Sequence, residues 1–248
     1  MTNFYTSLLL SSFAGLSTLI GFLGIYVKPK NRYSFISFSL SFSLAVMLCI
    51  SLFDLIPESL KKLNASVAIL GIIIFFIIFI VADKLFKIID RAVDRKNEKT
   101  LYKVGLLSAL VLFLHNIPEG ILTFNTSYTN FHLGFKIALA IALHNIPEGI
   151  AVAIPVYYAN MGKGRALFLT FVSGISEPIA GVLSFILIRN YINMNLIGMM
   201  MIFAASLMIF LSVFKLYPEV LTYKEKKSMY YGFVIGLILF IISNFILS

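Results

Sequence analysis

Long apolar runs alternate with short polar segments along the whole of this 248-residue chain. A transmembrane helix needs about 20 predominantly apolar residues to cross the hydrocarbon core of a bilayer. Runs of this length predict eight transmembrane helices, at about 4–27, 35–58, 66–86, 104–124, 134–158, 166–188, 194–217 and 229–247. The first run is too long for the apolar region of a signal peptide. The pattern therefore predicts an all-α integral membrane protein whose single transmembrane domain spans 1–248.

The composition agrees with this pattern, because 60% of the residues are hydrophobic and only 12% are charged. Soluble domains carry roughly 25% charged residues, which they need for a polar surface. The chain therefore has no room for a sizeable soluble domain. Its net charge of +9 comes from Lys and Arg placed between the apolar runs, so it indicates membrane topology rather than nucleic-acid binding.

The loop cations are distributed unevenly between the two sides of the predicted membrane. Fifteen Lys and Arg residues fall in the segments after the first, third, fifth and seventh runs, whereas only Lys61, Lys62 and Arg189 fall on the opposite side. Cytoplasmic loops carry the excess of positive residues. Both termini are therefore predicted to lie outside the cytosol, in a multi-pass protein of the cytoplasmic membrane.

Two internal repeats relate one half of the chain to the other. HNIPEGI occurs at 115–121 and again at 144–150, on the fourth and fifth runs. SLFDLIPESL at 51–60 matches SVFKLYPEVL at 212–221 in six of ten positions, on the second and seventh runs. In each pair the two helices would cross the membrane in opposite directions. Inverted repeats of this kind are typical of transporters with a substrate site near the midplane.

Five ionisable side chains lie deep in the apolar runs, namely Glu119, Glu148, Glu177, His115 and His144. A charge at the centre of a bilayer costs about 2.5–3.5 kcal/mol on insertion scales. No Lys or Arg lies at matching depth in these runs. The carboxylates are therefore either protonated or paired with a cation that the chain does not supply, and a divalent metal ion is the simplest such cation.

The spacing within the repeat supports a metal site. In the first copy His115 and Glu119 are four residues apart, so they share a helix face, and Asn116 lies at its edge. The second copy repeats this relation, and the sixth run adds Glu177 before a proline. Mixed nitrogen and oxygen ligands suit Zn²⁺, Fe²⁺, Mn²⁺ and Co²⁺. The candidate metal ligands are His115, Asn116, Glu119, His144, Asn145, Glu148 and Glu177, and a bridging carboxylate could bring two ions into one centre.

Proline and glycine complete each copy of the motif. Pro118 and Pro147 each remove a backbone donor and are predicted to kink their helices, and Gly120 and Gly149 permit close helix approach. Three further acidic residues lie nearer the ends of the runs. Asp54 and Glu58 could line an entrance or be solvated at the interface, and Glu219 is a candidate for an exit.

These motifs resemble those of the ZIP family of divalent-metal transporters, and the likeness covers nearly the whole chain. The resemblance implies that His115, Glu119, His144 and Glu148 hold one metal ion. It implies a second ion at Asn116, Asn145 and Glu177, with the two motif glutamates as bridges. It also implies uptake of Zn²⁺ into the cytosol, often with Fe²⁺, Mn²⁺, Co²⁺ or Cd²⁺, as substrates rather than cofactors.

The sequence thus predicts a transporter and not an enzyme, with two alternatives still open. An exporter could use the same site, and a membrane metalloenzyme needs an open metal position beside a substrate cleft. The chain has no HExxH motif, which favours transport over the enzyme. The expected partners are divalent metal ions and the lipid bilayer, with a homodimer as a further option and no nucleic acid.

Overall fold

The computed structural model describes residues 2–92, 100–187, 189–191 and 193–247, except for the side chains of 2, 82, 83, 85–92, 100–104, 144, 189, 244, 246 and 247. All regular structure in this part of the chain is helical. Apart from a 3₁₀ turn at Arg189–Tyr191, it forms eight long segments: α1 (Asn3–Tyr26), α2 (Arg32–Leu60), α3 (Ala65–Ala92), α4 (Thr100–Thr129), α5 (Phe131–Met161), α6 (Lys163–Leu187), α7 (Met194–Thr222) and α8 (Lys226–Leu247).

Seven of these segments are long and apolar enough to cross a membrane, which confirms an all-α membrane protein. The exception is α3, whose apolar part within the described residues, Ala65–Val81, is shorter than the other seven. Its side chains nevertheless include a run of large apolar groups that are half exposed, such as Ile69, Ile73 and Ile77. Such a surface suits contact with lipid, so the eighth span stays a prediction.

Helices α1, α4, α5 and α6 pack against one another as a four-helix bundle. Helix α2 packs along α8, and α3 packs along α7. These two pairs contact the bundle mainly where α2 meets α5 and where α4 meets α7. The buried Ser43 hydroxyl of α2 donates to the Pro147 carbonyl of α5 at 2.7 Å, across the first of these contacts. Both copies of the HNIPEG motif therefore lie inside the bundle and beside the helices that flank it.

The second internal repeat adopts the same local structure in both places. The π-helical segments Ile50–Leu55 of α2 and Ser212–Leu216 of α7 coincide with the first halves of the two repeat copies. An α-helical turn with proline at its start follows each of them, at Ile56–Leu60 and Tyr217–Thr222. Because proline has no N–H to donate to the carbonyl four residues earlier, the backbone widens by one residue before it. This shared geometry supports the inverted-repeat interpretation.

Candidate metal centre

Helices α4 and α5 bring the two copies of the HNIPEG motif together, as the sequence predicts. The His115 side chain of α4 is fully buried, and its Nε2 atom lies 3.1 Å from Glu119 Oε1 and 3.5 Å from Glu148 Oε1 of α5. Two ligand atoms on one tetrahedral Zn²⁺ lie about 3.3 Å apart, given metal–ligand bonds of about 2.0–2.2 Å. The His115 imidazole therefore lies at about ligand-to-ligand spacing from each of the two carboxylates.

Glu177 of α6 joins this cluster through an asparagine. Asn145 Nδ2 donates to Glu177 Oε1 and, at 2.8 Å, to the Ala14 carbonyl of α1. In the other copy of the motif, Asn116 Nδ2 donates to the Ser173 carbonyl of α6 at 2.9 Å. Since each amide nitrogen is held by the protein, each amide oxygen is left as an acceptor. Three helices of the bundle thus contribute to one polar centre.

This centre holds an excess of buried acceptors over donors. The following side-chain oxygens have no hydrogen-bond partner among the described residues: Oδ1 of Asn116 and of Asn145, Oε2 of Glu119 and of Glu177, and both carboxylate oxygens of Glu148. Both nitrogens of His115 also lack a partner with hydrogen-bond geometry. Buried polar atoms are nearly always paired, so such a concentration requires an explanation. A cation bound by these oxygen and nitrogen atoms would supply one.

The described side chains do not complete a metal site by themselves. Among them, no three His, Cys, Asp or Glu residues are arranged so that they could hold an ion alone. His144 lies on α5, four residues before Glu148, but its side chain is outside the described part of the chain. A full ligand set would therefore need the His144 imidazole or the asparagine oxygens in addition to His115 and the glutamates.

A cavity of about 570 Å³ extends from Glu119 to the end of α2. Asp54 and Glu58, the predicted entrance residues, line it together with Glu119. Sequence reasoning missed other residues of its wall, among them Lys62, Asn125, Thr126, Met200 and Met201. A signal was available for Lys62 alone, because it follows Glu58 by four residues and so shares its helix face.

Glu219, the predicted exit residue, is buried near the end of α7. Its Oε1 atom accepts a hydrogen bond from the Tyr223 hydroxyl at 2.7 Å, and Tyr223 stacks on Tyr33 with the ring centres 6.0 Å apart. Burial and the hydrogen bond to Glu219 raise the pKa of the Tyr223 hydroxyl, so it stays protonated as the donor. The described contacts of the Glu219 side chain thus lie at the end of the helix, and an exit role stays a prediction.

The Asn145→Ala variant is expected to be less stable than wild type by about 1–3 kcal/mol, because it leaves the buried Glu177 carboxylate without its amide donor and removes one of the donors to the Ala14 carbonyl, which keeps its bond from the Ser17 hydroxyl. Asn116→Ala is the matched control, since it removes one bond to a single carbonyl. Thermal unfolding in detergent would measure both variants. If Asn145→Ala unfolds at the same temperature as Asn116→Ala, the hydrogen bond from Asn145 to Glu177 does not contribute to the stability of the protein.

Comparison with known proteins shows the family of the chain. The model of the family described as ZIP Zinc transporter matches residues 92–244. The chain is 34% identical to the zinc transporter ZupT of Chlorobium luteolum and to that of Oceanobacillus iheyensis, with all of each chain covered in both cases. It is 35% identical to the zinc transporter ZupT of Chlorobaculum parvum, over 97% of this chain and 95% of that one. The chain therefore belongs to the ZIP family and resembles its ZupT members over its whole length.

Proposed function

We propose that this protein carries Zn²⁺ across the cytoplasmic membrane into the cytosol, with Fe²⁺, Mn²⁺, Co²⁺ and Cd²⁺ as further substrates. The observation that carries the proposal is the cluster of buried, unpartnered acceptors contributed by α4, α5 and α6. Within the described side chains, no Lys or Arg contacts these acceptors. A divalent cation is therefore the natural partner, and relatives of similar length are named zinc transporters.

The ligand set follows from the proximity of the side chains. His115, Glu119 and Glu148 would hold one ion together with His144, and the 3.1 and 3.5 Å contacts support their convergence. The unpartnered oxygens of Asn116, Asn145 and Glu177 would serve a second ion, with Glu119 and Glu148 as bridges. Imidazole ligands favour Zn²⁺ and similar ions over Mg²⁺ and Ca²⁺, which prefer all-oxygen coordination.

The cavity and the loop charges favour entry from outside the cytosol. The lining of the cavity includes Lys62, just beyond α2, Leu133, in the first turn of α5, and Met194, at the start of α7. Applied to the loop charges, the positive-inside rule predicts that all three of these helix ends lie on the extracytoplasmic side. An ion would therefore pass Asp54 and Glu58 to reach Glu119, and would leave towards the opposite end of the bundle. One transmembrane domain is sufficient for this path.

Uptake of radioactive zinc into proteoliposomes tests the proposal. Protein-containing liposomes are expected to take up Zn²⁺ faster than empty ones and with saturation, whereas a large excess of Mg²⁺ or Ca²⁺ leaves uptake nearly unchanged. Iron(II) and cadmium are expected to compete. Purified protein that binds Zn²⁺ stoichiometrically yet gives no flux would contradict transport and would favour a structural or enzymatic metal centre.

A further inference from the structure

The α2 end of the cavity carries a lysine on the proposed route of the cation. Lys62 lies just beyond α2, and its side chain is only 16% exposed, whereas that of its neighbour Lys61 is 73% exposed. Lys62 lines the cavity and Lys61 does not. The other charged groups among the cavity's described lining residues are all acidic, namely Asp54, Glu58 and Glu119. Lys62 is thus the single cation in this described part of the wall.

Glu58 is shared by both lysines. Its Oε1 atom contacts Lys62 Nζ, and its Oε2 atom lies 2.8 Å from Lys61 Nζ. The charge of Glu58, a candidate entrance residue, is therefore neutralised. Lys62 therefore offsets one of the three carboxylates on the described cavity wall, and an incoming divalent ion is attracted less strongly than by Asp54, Glu58 and Glu119 alone.

We propose that Lys62 acts as a charge barrier at the α2 end of the cavity and lowers the apparent affinity of the protein for incoming divalent cations. It does so by holding Glu58 in an ion pair and by placing its own charge on the cavity wall. Its role is to position Glu58 and to repel, and it does not bind the metal. The transport readout of this proposal rests on the proposed function.

The expected size of the effect follows from Coulomb's law. A divalent ion and a single charge about 8 Å apart in water interact strongly enough to change an equilibrium roughly five-fold. The effect acts on entry, so it changes the KM for Zn²⁺ and leaves the maximal rate unchanged. It weakens as salt shortens the screening length. The barrier acts equally on all divalent cations, so selection between them is left to the nitrogen and oxygen ligands deeper in the protein.

Uptake kinetics with matched variants test the barrier. Lys62→Gln is expected to lower the KM for Zn²⁺ by roughly five-fold at low ionic strength, and Glu58→Gln to raise it by a similar factor. Lys62→Arg keeps the charge and is expected to keep the wild-type KM, while Lys61→Gln, off the cavity wall, changes it by less than about two-fold. A double variant, Glu58→Gln with Lys62→Gln, should return towards wild type. Equal KM values for Lys62→Gln and wild type, or a lowered KM in Lys62→Arg, would overturn the proposal.

A second measurement reads the charge of the cavity without using transport. Thr126 lines the cavity, and Cys49 is the chain's single cysteine and is buried. In a Cys49→Ala background, a Thr126→Cys thiol is expected to react several-fold faster with a cationic methanethiosulfonate when Lys62→Gln is added, and at the same rate with a neutral one. Unchanged rates would overturn the barrier. If the wild type shows no uptake but the cationic reagent responds as expected, the proposed function fails and the barrier stands.

Discussion

The Glu148→Gln variant is expected to lose saturable zinc uptake altogether. Glu148 is 1% exposed, neither of its oxygens has a hydrogen-bond partner among the described residues, and one of them lies 3.5 Å from the His115 imidazole. An amide keeps the shape of the side chain but removes its charge and replaces one acceptor with a donor. Loss of an outer partner of a metal ligand costs about 10–100-fold in affinity, so loss of a direct ligand should cost at least about 100-fold.

Two measurements separate this loss from misfolding. Glu148→Gln removes one charge from a group of buried carboxylates, so its unfolding temperature without metal is expected to equal or exceed that of wild type. Added Zn²⁺ should raise the unfolding temperature of wild type, because a ligand that binds only the folded state stabilises it. The same addition should leave Glu148→Gln unchanged. A variant that still shows the zinc-dependent rise would contradict the assignment of Glu148 as a ligand.

Glu225→Gln is the matched control for the loss of a carboxylate outside the centre. Glu225 lies between α7 and α8 and accepts hydrogen bonds from Asn31 Nδ2 at 3.1 Å and from Ser34 Oγ at 2.8 Å. An amide oxygen can accept at least one of them. Uptake by this variant is expected to stay within about two-fold of wild type, as for most surface substitutions.

The core of the candidate centre could be predicted from the sequence because helical periodicity is strict. The four-residue spacing of His115 and Glu119 places them on one face, and the repeat of the motif on the next helix makes the two faces meet. The contact from His115 to Glu148 across the two helices is the structural result of that pattern. The high cost of burying a charge in an apolar run adds Glu177 to the same group.

Other features depend on packing that no local pattern reports. The π-helical turns at Ile50–Leu55 and Ser212–Leu216 follow from the prolines after them, but a proline in a helix can also produce a kink or a break. The pairing of Glu58 with Lys62 was readable from their spacing, yet the position of Lys62 on the cavity wall depends on how α2, α4 and α7 meet. The sequence made Glu219 a candidate exit residue, which stays a prediction, and it did not indicate the hydrogen bond that Glu219 accepts from the Tyr223 hydroxyl.

Alanine at Gly120 or Gly149 is expected to cause the largest loss of stability among single-methyl additions to the bundle. A Cβ atom at Gly120 would lie 2.1 Å from the Glu177 carbonyl oxygen of α6, and one at Gly149 would lie 2.0 Å from the Thr18 carbonyl oxygen of α1. Both obstacles are backbone atoms, so no side-chain rotation relieves them and the helices must separate. Overpacking of this kind costs about 1–3 kcal/mol and in rigid contacts more.

Gly164→Ala is the control, because a Cβ at this position in the first turn of α6 meets no atom within 4 Å. It is expected to raise the free energy of unfolding by about 0.4–1 kcal/mol, since it restricts the unfolded chain. In thermal unfolding in detergent, Gly164→Ala is expected to have the highest unfolding temperature, wild type the next, and the two motif variants the lowest. If Gly120→Ala and Gly149→Ala unfold at the same temperature as wild type, the helices do not approach each other as closely as described.

The position of these glycines links helix packing to the metal centre. Each directly follows a motif glutamate, and Gly120 contacts the backbone of Glu177 itself. A methyl group at Gly120 would therefore move the Glu177 side chain away from Glu119, whereas one at Gly149 would move α1 away from Glu148. Both variants are expected to weaken the zinc-dependent rise in unfolding temperature even at temperatures where they remain folded. If a destabilised Gly120→Ala protein still shows the same zinc-dependent rise in unfolding temperature as wild type, zinc binding does not depend on the close packing of α4 on α6.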